Sequence, residues 1–333
     1  YGLDQCLDLA QDALRRGNGV TAPEGWVVGE GMAAAMIATM APRGHIAHTS
    51  ATLRPDGTYL LRVGTAEFGN GTATVHRQIA ATVLEAPLER LHLWAADTDA
   101  VRHDTGAFAS AGTVVAGKAL YGACFSLKRR MIAIAAELSG ADAAEAEVTA
   151  SGISFAGETV TWARIVEAGG ADGLTADGAE FGEVRSLAFN VHAVRVAVDP
   201  ETGTVKVLQS IQSADAGVVI NPAQCRGQIE GGAAQALGGA LYEEVYLEDG
   251  VVQNPVFRTY RVPQFADVPD TEVYFAATDD TLGPFGAKSM SESPYNPVGA
   301  AIGNAVSRAL GRRGYELPFS RDRVWRLAGG GAA

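Results

Sequence analysis

Glu292 is the carboxylate whose surroundings most suggest chemistry. It lies in residues 284–310. The first half of this stretch is broken by Pro284, Gly286, Pro294 and Pro297 and cannot be helix. The second half carries Val298, Ile302, Ala305, Val306 and Ala309 at helical spacing, with Asn296 suited to the N-cap, Pro297 to the first helical position and Gly311 to the end. The carboxylate thus sits on a small-residue loop ahead of a helix start, and such a loop offers backbone N–H donors to an anionic ligand. The same residue also suits a solvated loop, and this stretch alone does not choose.

Three other groups invite a ligand. Gly69, Asn70, Gly71 and Thr72 stand at a strand-to-helix switch, where glycine lets a ligand approach the backbone or simply makes a turn. Phe108, Ala109, Ser110, Ala111 and Thr113 form a small-residue run before a long helix; Ser110 and Thr113 either cap it or touch a ligand. Gln228 lies among Gly227, Gly231, Gly232, Gly238 and Gly239. Each glycine costs a helix about 1 kcal/mol against Ala, so their number implies close packing against a backbone or a ligand, which Gln228 would then reach. Gln228 also reads as an ordinary exposed helix residue.

Other chemistries are missing. No P-loop lysine follows Gly69–Gly71 and no dinucleotide fingerprint is present. The six histidines form no zinc motif, and Cys6, Cys124 and Cys225 are widely spaced in apolar settings, as buried reduced thiols are. Side chains are therefore not expected to be the main ligands of a metal.

The positioning elements follow from periodicity. Helices are expected over 3–16, from about 72, over 114–138, over 222–241 and over 297–310. Strands are expected within 26–40, over 91–96, near Val148, Ile153 and Val160, and in two hairpins, 50–63 and 187–211. Residues 169–182, rich in Gly and Asp, read as a flexible surface loop, and 258–267 with 271–277 as partly strand. Hairpins among helices indicate an α+β fold rather than a doubly wound sheet. The 333 residues suffice for about two domains, and 47% hydrophobic with 19% charged residues is a globular composition. A net charge of −12 argues against nucleic acid or an anionic membrane as partner. No membrane span or signal peptide is visible, and a cytoplasmic setting is expected.

The order and spacing of these pieces carry more than any one of them. Glu67-x-Gly69-Asn70-Gly71 with Gln78, then Phe108-Ala109-Ser110, then Gly227-Gln228-Ile229-Glu230-Gly231 with Gln235 and Gly238, then Tyr260-Arg261-Val262-Pro263, then Ala287-Lys288 with Glu292, form a series over nearly the whole chain. This series resembles the C-terminal half of the molybdenum-cofactor-binding subunit of the xanthine dehydrogenase/aldehyde oxidoreductase family. The resemblance implies a two-lobed molybdopterin-binding fold, divided here into residues 1–185 and 186–333. It implies a pyranopterin molybdenum cofactor, in bacteria often the cytosine dinucleotide, with the metal held by the dithiolene sulfurs. Gly69, Asn70, Gly71 and Thr72 would line the pterin or phosphate; Phe108, Ala109, Ser110, Ala111 and Thr113 the phosphate or nucleotide; Gln228 the metal centre. Lys288, Ser289, Met290 and Ser291 would carry the cofactor on their backbone, and Glu292 would be the general base in hydroxylating an electron-poor carbon with water as oxygen source.

This sequence departs from the family at Asn70, where Gln is usual, and at Ser291, where Gly is usual. The family's N-terminal cofactor-binding half, [2Fe–2S] cysteines and a flavin site are not in these residues. The resemblance thus implies a chain supplying that half, an iron–sulfur component, an FAD component and a small-molecule substrate, in an assembly that could pair into a dimer of heteromers. Two rival readings stand beside it, a non-catalytic scaffold of the same fold and a nucleotide-binding enzyme using Gly69–Gly71.

Overall fold

The computed structural model describes residues 1–39, 44–170, 173–182 and 184–330. In chain order the elements are α1 (Leu3–Arg16), β1 (Val27–Thr39), β2 (Ile46–Leu53), β3 (Tyr59–Val63), α2 (Thr72–Leu84), β4 (Leu91–Ala95), α3 (Gly117–Ser139), β5 (Glu147–Val148), β6 (Gly152–Phe155), β7 (Glu158–Thr161), α4 (Trp162–Gly169), β8 (Leu174–Phe181), β9 (Ser186–Val198), β10 (Val205–Ala214), α5 (Pro222–Leu241), β11 (Leu247–Glu248), β12 (Val251–Val252), β13 (Thr271–Phe275), α6 (Val298–Leu310) and α7 (Arg321–Leu327). Two four-stranded sheets, ordered β1-β9-β10-β13 and β4-β3-β2-β8, make the frame of an α+β fold.

The first sheet is covered on both faces. Val191 and Ala193 of β9 pack with Cys6, Ala10 and Ala13 of α1 on one side. Val194, Val196 and Val198 alternate to the other side, against Leu237 of α5 and Ile302 and Val306 of α6. Ile302 and Val306 are wholly buried, and each such side chain contributes about 1.5–3 kcal/mol. Helix α6 lies so close to β1 that a Cβ on Gly31 would stand 2.2 Å from the Ala301 carbonyl. The second sheet packs one core with α2 and α3, built on Leu53, Leu61, Leu84, Leu120 and Leu127, and capped by Trp162 of α4.

Residues 169–182 are not a flexible loop in their described part. Leu174–Phe181 is a strand, paired with β2 from Ile46↔Phe181 to Leu53↔Leu174. Its Gly178 reflects packing, since a Cβ there would stand 2.0 Å from the Ala119 carbonyl of α3. Residues 171, 172 and 40, which fall within the expected loop and strand, lie outside the described residues. The stretch 258–267 holds no strand; Arg261 instead lies 4.5 Å from the Tyr242 ring centre and pairs with Asp267 at 3.2 Å. Helix α6 begins one residue later than expected, because Tyr295–Pro297 form a turn in which Val298 donates to the Tyr295 carbonyl.

The expected division between residues 185 and 186 falls at the passage between the two sheets. Helix α1 and strand β1 lie across it, since β1 pairs with β9 along its whole length.

Two strand–helix–strand crossovers matter for function. β3–α2–β4 and β10–α5–β13 each join parallel neighbours, so the start of each helix lies at the C-terminal end of a strand, where such folds place ligands. Asn221 caps α5 through its side chain and also donates to Gln78 Oε1 in the middle of α2 at 3.1 Å, while Gln224 in the first turn of α5 lies against Gly71 at the start of α2.

Candidate active site

At the start of α2, Gly69 and Gly71 adopt left-handed backbone conformations, with φ of 97° and 79°. The turn is organised by Glu67. Its carboxylate accepts the N–H groups of Gly69 at 2.7 Å, Gly71 at 3.2 Å and Ala73 at 2.9 Å. Burial pushes this carboxyl up, but these N–H donors outweigh it and hold it below its ordinary range. Asn70 turns inward too, its Oδ1 accepting from the Thr72 hydroxyl at 2.8 Å. The N–H donors expected to face a ligand are therefore engaged by the chain's own acid.

The second loop is strained. Ala109 and Ser110 are consecutive non-glycine residues at φ of 51° and 58°, a conformation costing about 1–2 kcal/mol per residue. The Phe108 ring lies 4.2 Å from that of His45, tilted by 56°, and the Thr39 hydroxyl lies 2.8 Å from the Ala109 carbonyl. This conformation aims the buried Ser110 hydroxyl at Glu292. Ser110 Oγ accepts the Glu292 N–H at 3.0 Å and donates to its Oε2 at 3.0 Å. Residues 112–116 then make one wide π turn before α3. Buried His76 pins that turn, donating from Nε2 to the Gly112 carbonyl at 3.1 Å, and burial pushes its pKa down, keeping it neutral.

The third loop carries Glu292. Lys288 is buried and pairs with Asp215 at 2.8 Å, while its N–H donates to the Ala216 carbonyl. Asp215 also accepts from Thr278 at 2.5 Å and from the Gly2 N–H at 3.0 Å. Burial would raise the Asp215 carboxyl, but these donors win and hold it below its ordinary value. Ser289 is buried against the Thr39 hydroxyl, and Ser293 donates to the Met290 sulfur at 3.2 Å. Ser291 donates to Gln228 Oε1 at 3.1 Å, and Gln228 Nε2 donates to the Gly69 carbonyl at 3.2 Å. Gln228 thus bridges the first and third loops. Beyond Glu292, Gln212 donates to the Pro294 carbonyl at 3.0 Å.

Hydrogen bonds therefore link Gly69, Gln228 and Ser291 to one another and Ser110 to Glu292, the residue that follows Ser291. Asn70, Thr113, Gln228, Lys288 and Met290 line one cavity of about 70 Å³ with Asn221, Gln224 and Cys225. Gln224 Oε1 is buried there without a partner, against Gly71, where a Cβ would stand 2.9 Å away. Thr72 packs on Gly112. Ala111 belongs to the core beneath α3, Ser289 lies behind the loop, and Phe108 is exposed beside His45. A roomier groove of about 580 Å³ between β10, residues 261–270 and 319–321 gathers none of these residues. Among the described residues no cluster of His, Cys, Asp and Glu could hold a metal. Cys6, Cys124 and Cys225 are unpaired, and burial pushes their thiols up to about 11, 12 and 12, so none is a ready thiolate. The glycines of α5 divide: Gly232 and Gly239 pack against Pro294 and Tyr295, while Gly227 and Gly231 face open space.

Four residues of this arrangement escape motif reading. Glu67 stands in the first motif but gave no local sign of its turn-shaping role. Gln224 lies one helical turn before Gln228, a spacing visible in sequence. Thr39 and Asp215 carry no local signal.

Fold and site together define an α+β domain in which two helix starts and three loops are tied to one another, with Glu292 held by Ser110 at the side of the cavity residues. Residues 5–269 match the molybdopterin cofactor-binding domain family, and the chain belongs to it. It is similar to the aldehyde oxidoreductase molybdenum-binding subunit PaoC of Escherichia coli O157:H7, 33% identical over 311 residues, covering 90% of this chain and 40% of that protein. It is 32% identical over 286 residues to the 6-hydroxypseudooxynicotine dehydrogenase complex subunit gamma of Paenarthrobacter nicotinovorans, covering 81% of this chain and 36% of that one. Quinoline 2-oxidoreductase from Pseudomonas putida 86 superposes with a TM-score of 0.84 at 26% identity, over 98% of this chain and 44% of that one. The chain thus spans less than half the length of each.

Proposed function

We propose that this chain is the C-terminal molybdenum-cofactor-binding part of a hydroxylase or dehydrogenase acting on an N-heteroaromatic compound or an aldehyde, with Glu292 as general base. The observation that carries this reading is the bonded convergence of Gly69, Ser110, Ser291 and Glu292 from three separate loops with Gln228 from helix α5.

The residues present suit the cofactor. The unpartnered, buried Gln224 Oε1 offers an acceptor to a ligand N–H, and Gln228 keeps a second amide hydrogen to donate. Asn70, Thr113, Gln224, Gln228 and the 288–291 backbone would hold it, in its cytosine dinucleotide form. When bound, it supplies a metal that carries its own sulfur ligands and accepts two electrons from the substrate. Glu292 does the proton chemistry. Ser110 donates to Oε2, which leaves Oε1 as the acceptor available for a proton. The Ser110 bond also holds the carboxylate orientation through both its backbone and its side chain, so little reorganisation is needed when a proton arrives. On this reading [2Fe–2S] and FAD components on partner chains would serve as the electron acceptors, and another chain would supply the rest of the pocket.

Glu292→Gln in the assembled complex should keep its molybdenum and lose turnover by about 10²–10⁴-fold, read with azaarenes, purines and aldehydes and an artificial electron acceptor. Turnover near wild type would remove Glu292 from the role. Nucleotide binding through Gly69–Gly71 is disfavoured because Glu67 occupies those N–H groups, and a bare scaffold is disfavoured by the retained Ser110–Glu292 contact.

A further inference from the structure

We propose that Thr39, which stands outside every motif of the site, is a positioning residue that sets the approach of Ser110 to Glu292; the proposal rests on Glu292 being the base. Thr39 is the last residue of β1 and is wholly buried. Its hydroxyl meets both the Ala109 carbonyl, at 2.8 Å, and the Ser289 hydroxyl. A hydroxyl has one proton and a carbonyl only accepts. Thr39 Oγ1 is the donor toward both the Ala109 carbonyl and the Ser289 oxygen, so its single proton is shared between the two. One oxygen ties the strained loop that carries Ser110 to the loop that carries Glu292.

The geometry around each end makes this tie consequential. Ala109 and Ser110 hold left-handed conformations, and such strain persists only where the surroundings over-determine it. Among the described residues Thr39 is the side-chain donor to the Ala109 carbonyl. On the other loop, Glu292 hangs between buried anchors: Lys288 on Asp215 and Ser289 on Thr39 before it, and Pro294 on Gln212 after it. Of these anchors Thr39 alone also holds the Ser110 loop. The plainer alternative is a buried threonine that merely satisfies polar atoms at a strand end. Such a residue would affect stability and leave catalytic geometry alone.

Thr39→Val keeps the shape and removes the hydroxyl; Thr39→Ser keeps the hydroxyl. Each is made in the complex with its partner chains. The first readout is hydrogen exchange at the Glu292 amide, whose acceptor is Ser110 Oγ. It should quicken at least about tenfold in Thr39→Val and return toward wild type in Thr39→Ser, with amides inside α2 unchanged. The second is a split in kinetics: kcat lower by on the order of 10²-fold, KM within about twofold, molybdenum content intact. Wild-type exchange in Thr39→Val overturns the proposal, as does faster exchange with unaltered kcat, or failure of Thr39→Ser to restore either. If Thr39→Val does not assemble, Ser289→Ala removes the same link from the other side, and unchanged Glu292 exchange there overturns it equally. A wild-type complex without hydroxylase turnover would sink the functional reading, while the exchange comparison still decides the tie.

Discussion

Lys288→Met asks how firmly the loop bearing Glu292 is anchored. The pair with Asp215 spans 2.8 Å, with side chains 2% and 0% exposed, so neither charge has water to fall back on. Methionine keeps the length of the stem and deletes the charge. Among the described residues Asp215 would then retain the Thr278 hydroxyl and the Gly2 N–H as donors. Breaking a buried pair from one side costs about 3–5 kcal/mol, and two surviving donors to the carboxylate place the expected loss near the lower end, at about 3 kcal/mol. Lys288→Met with Asp215→Asn removes the stranded charge and should recover half of that loss or more. Urea unfolding followed by circular dichroism on wild type, both single variants and the double variant gives the coupling energy. The acid limb carries a sign. Asp215 sits below its ordinary 3.8, so its contribution is complete above that value and fades as pH falls through the folded pKa. In Lys288→Met that limb should move to higher pH, and in the double variant it should flatten. A loss under about 1 kcal/mol in Lys288→Met, or a double variant no better than the single, would refute the anchoring argument.

Other consequences are as accessible. Burial pushes His192 from 6.5 down to about 3; the unfolded chain binds that proton first, so stability should fall as pH drops through this window, by up to about 4 kcal/mol. His192→Gln should flatten the slope of melting temperature against pH between about 6 and 4. Gly31→Ala places a Cβ 2.2 Å from the Ala301 carbonyl and 2.4 Å from the Ala305 nitrogen, so α6 must move at a cost of about 1–3 kcal/mol, measurable by urea midpoint. Glu67→Ala frees the N–H groups of Gly69, Gly71 and Ala73; the loss should resemble that of a helix cap, about 1 kcal/mol, with faster exchange at those amides. Because Glu67 is held below its ordinary range, the wild-type advantage should vanish as pH falls through the folded pKa.

Much of this was legible in the chain. Helices α3, α5 and α6 are long, with one apolar face, and β9 with β10 alternates around an obvious turn, so periodicity found them. Strand β8 was not legible, because Gly178 is there to admit the Ala119 carbonyl and looks from sequence like a loop glycine. The pairing of β1 was not legible either: its partner β9 is buried on both faces, and nothing local names a partner so far along the chain. At the site, glycines and Gln228 marked the loops, but the actors that shape them are set by long-range contacts. Glu67 turns back on its own loop, and Asp215 and Thr39 reach residues distant in sequence.

The way β1 is paired also gives the second sheet an unusual standing. Thr39 faces Ser186, where the chain leaves the first sheet and where it returns, and Ile46 faces Phe181 just beyond. The whole of that lobe is therefore an insert hung on two hydrogen-bonded neighbours, and a short turn could in principle replace it and leave β1 and β9 as an ordinary hairpin. On the ribosome the order is reversed. The insert has all its strands once Phe181 is made, whereas β1 waits, edge bare, for β9 and then for α6 further along the chain.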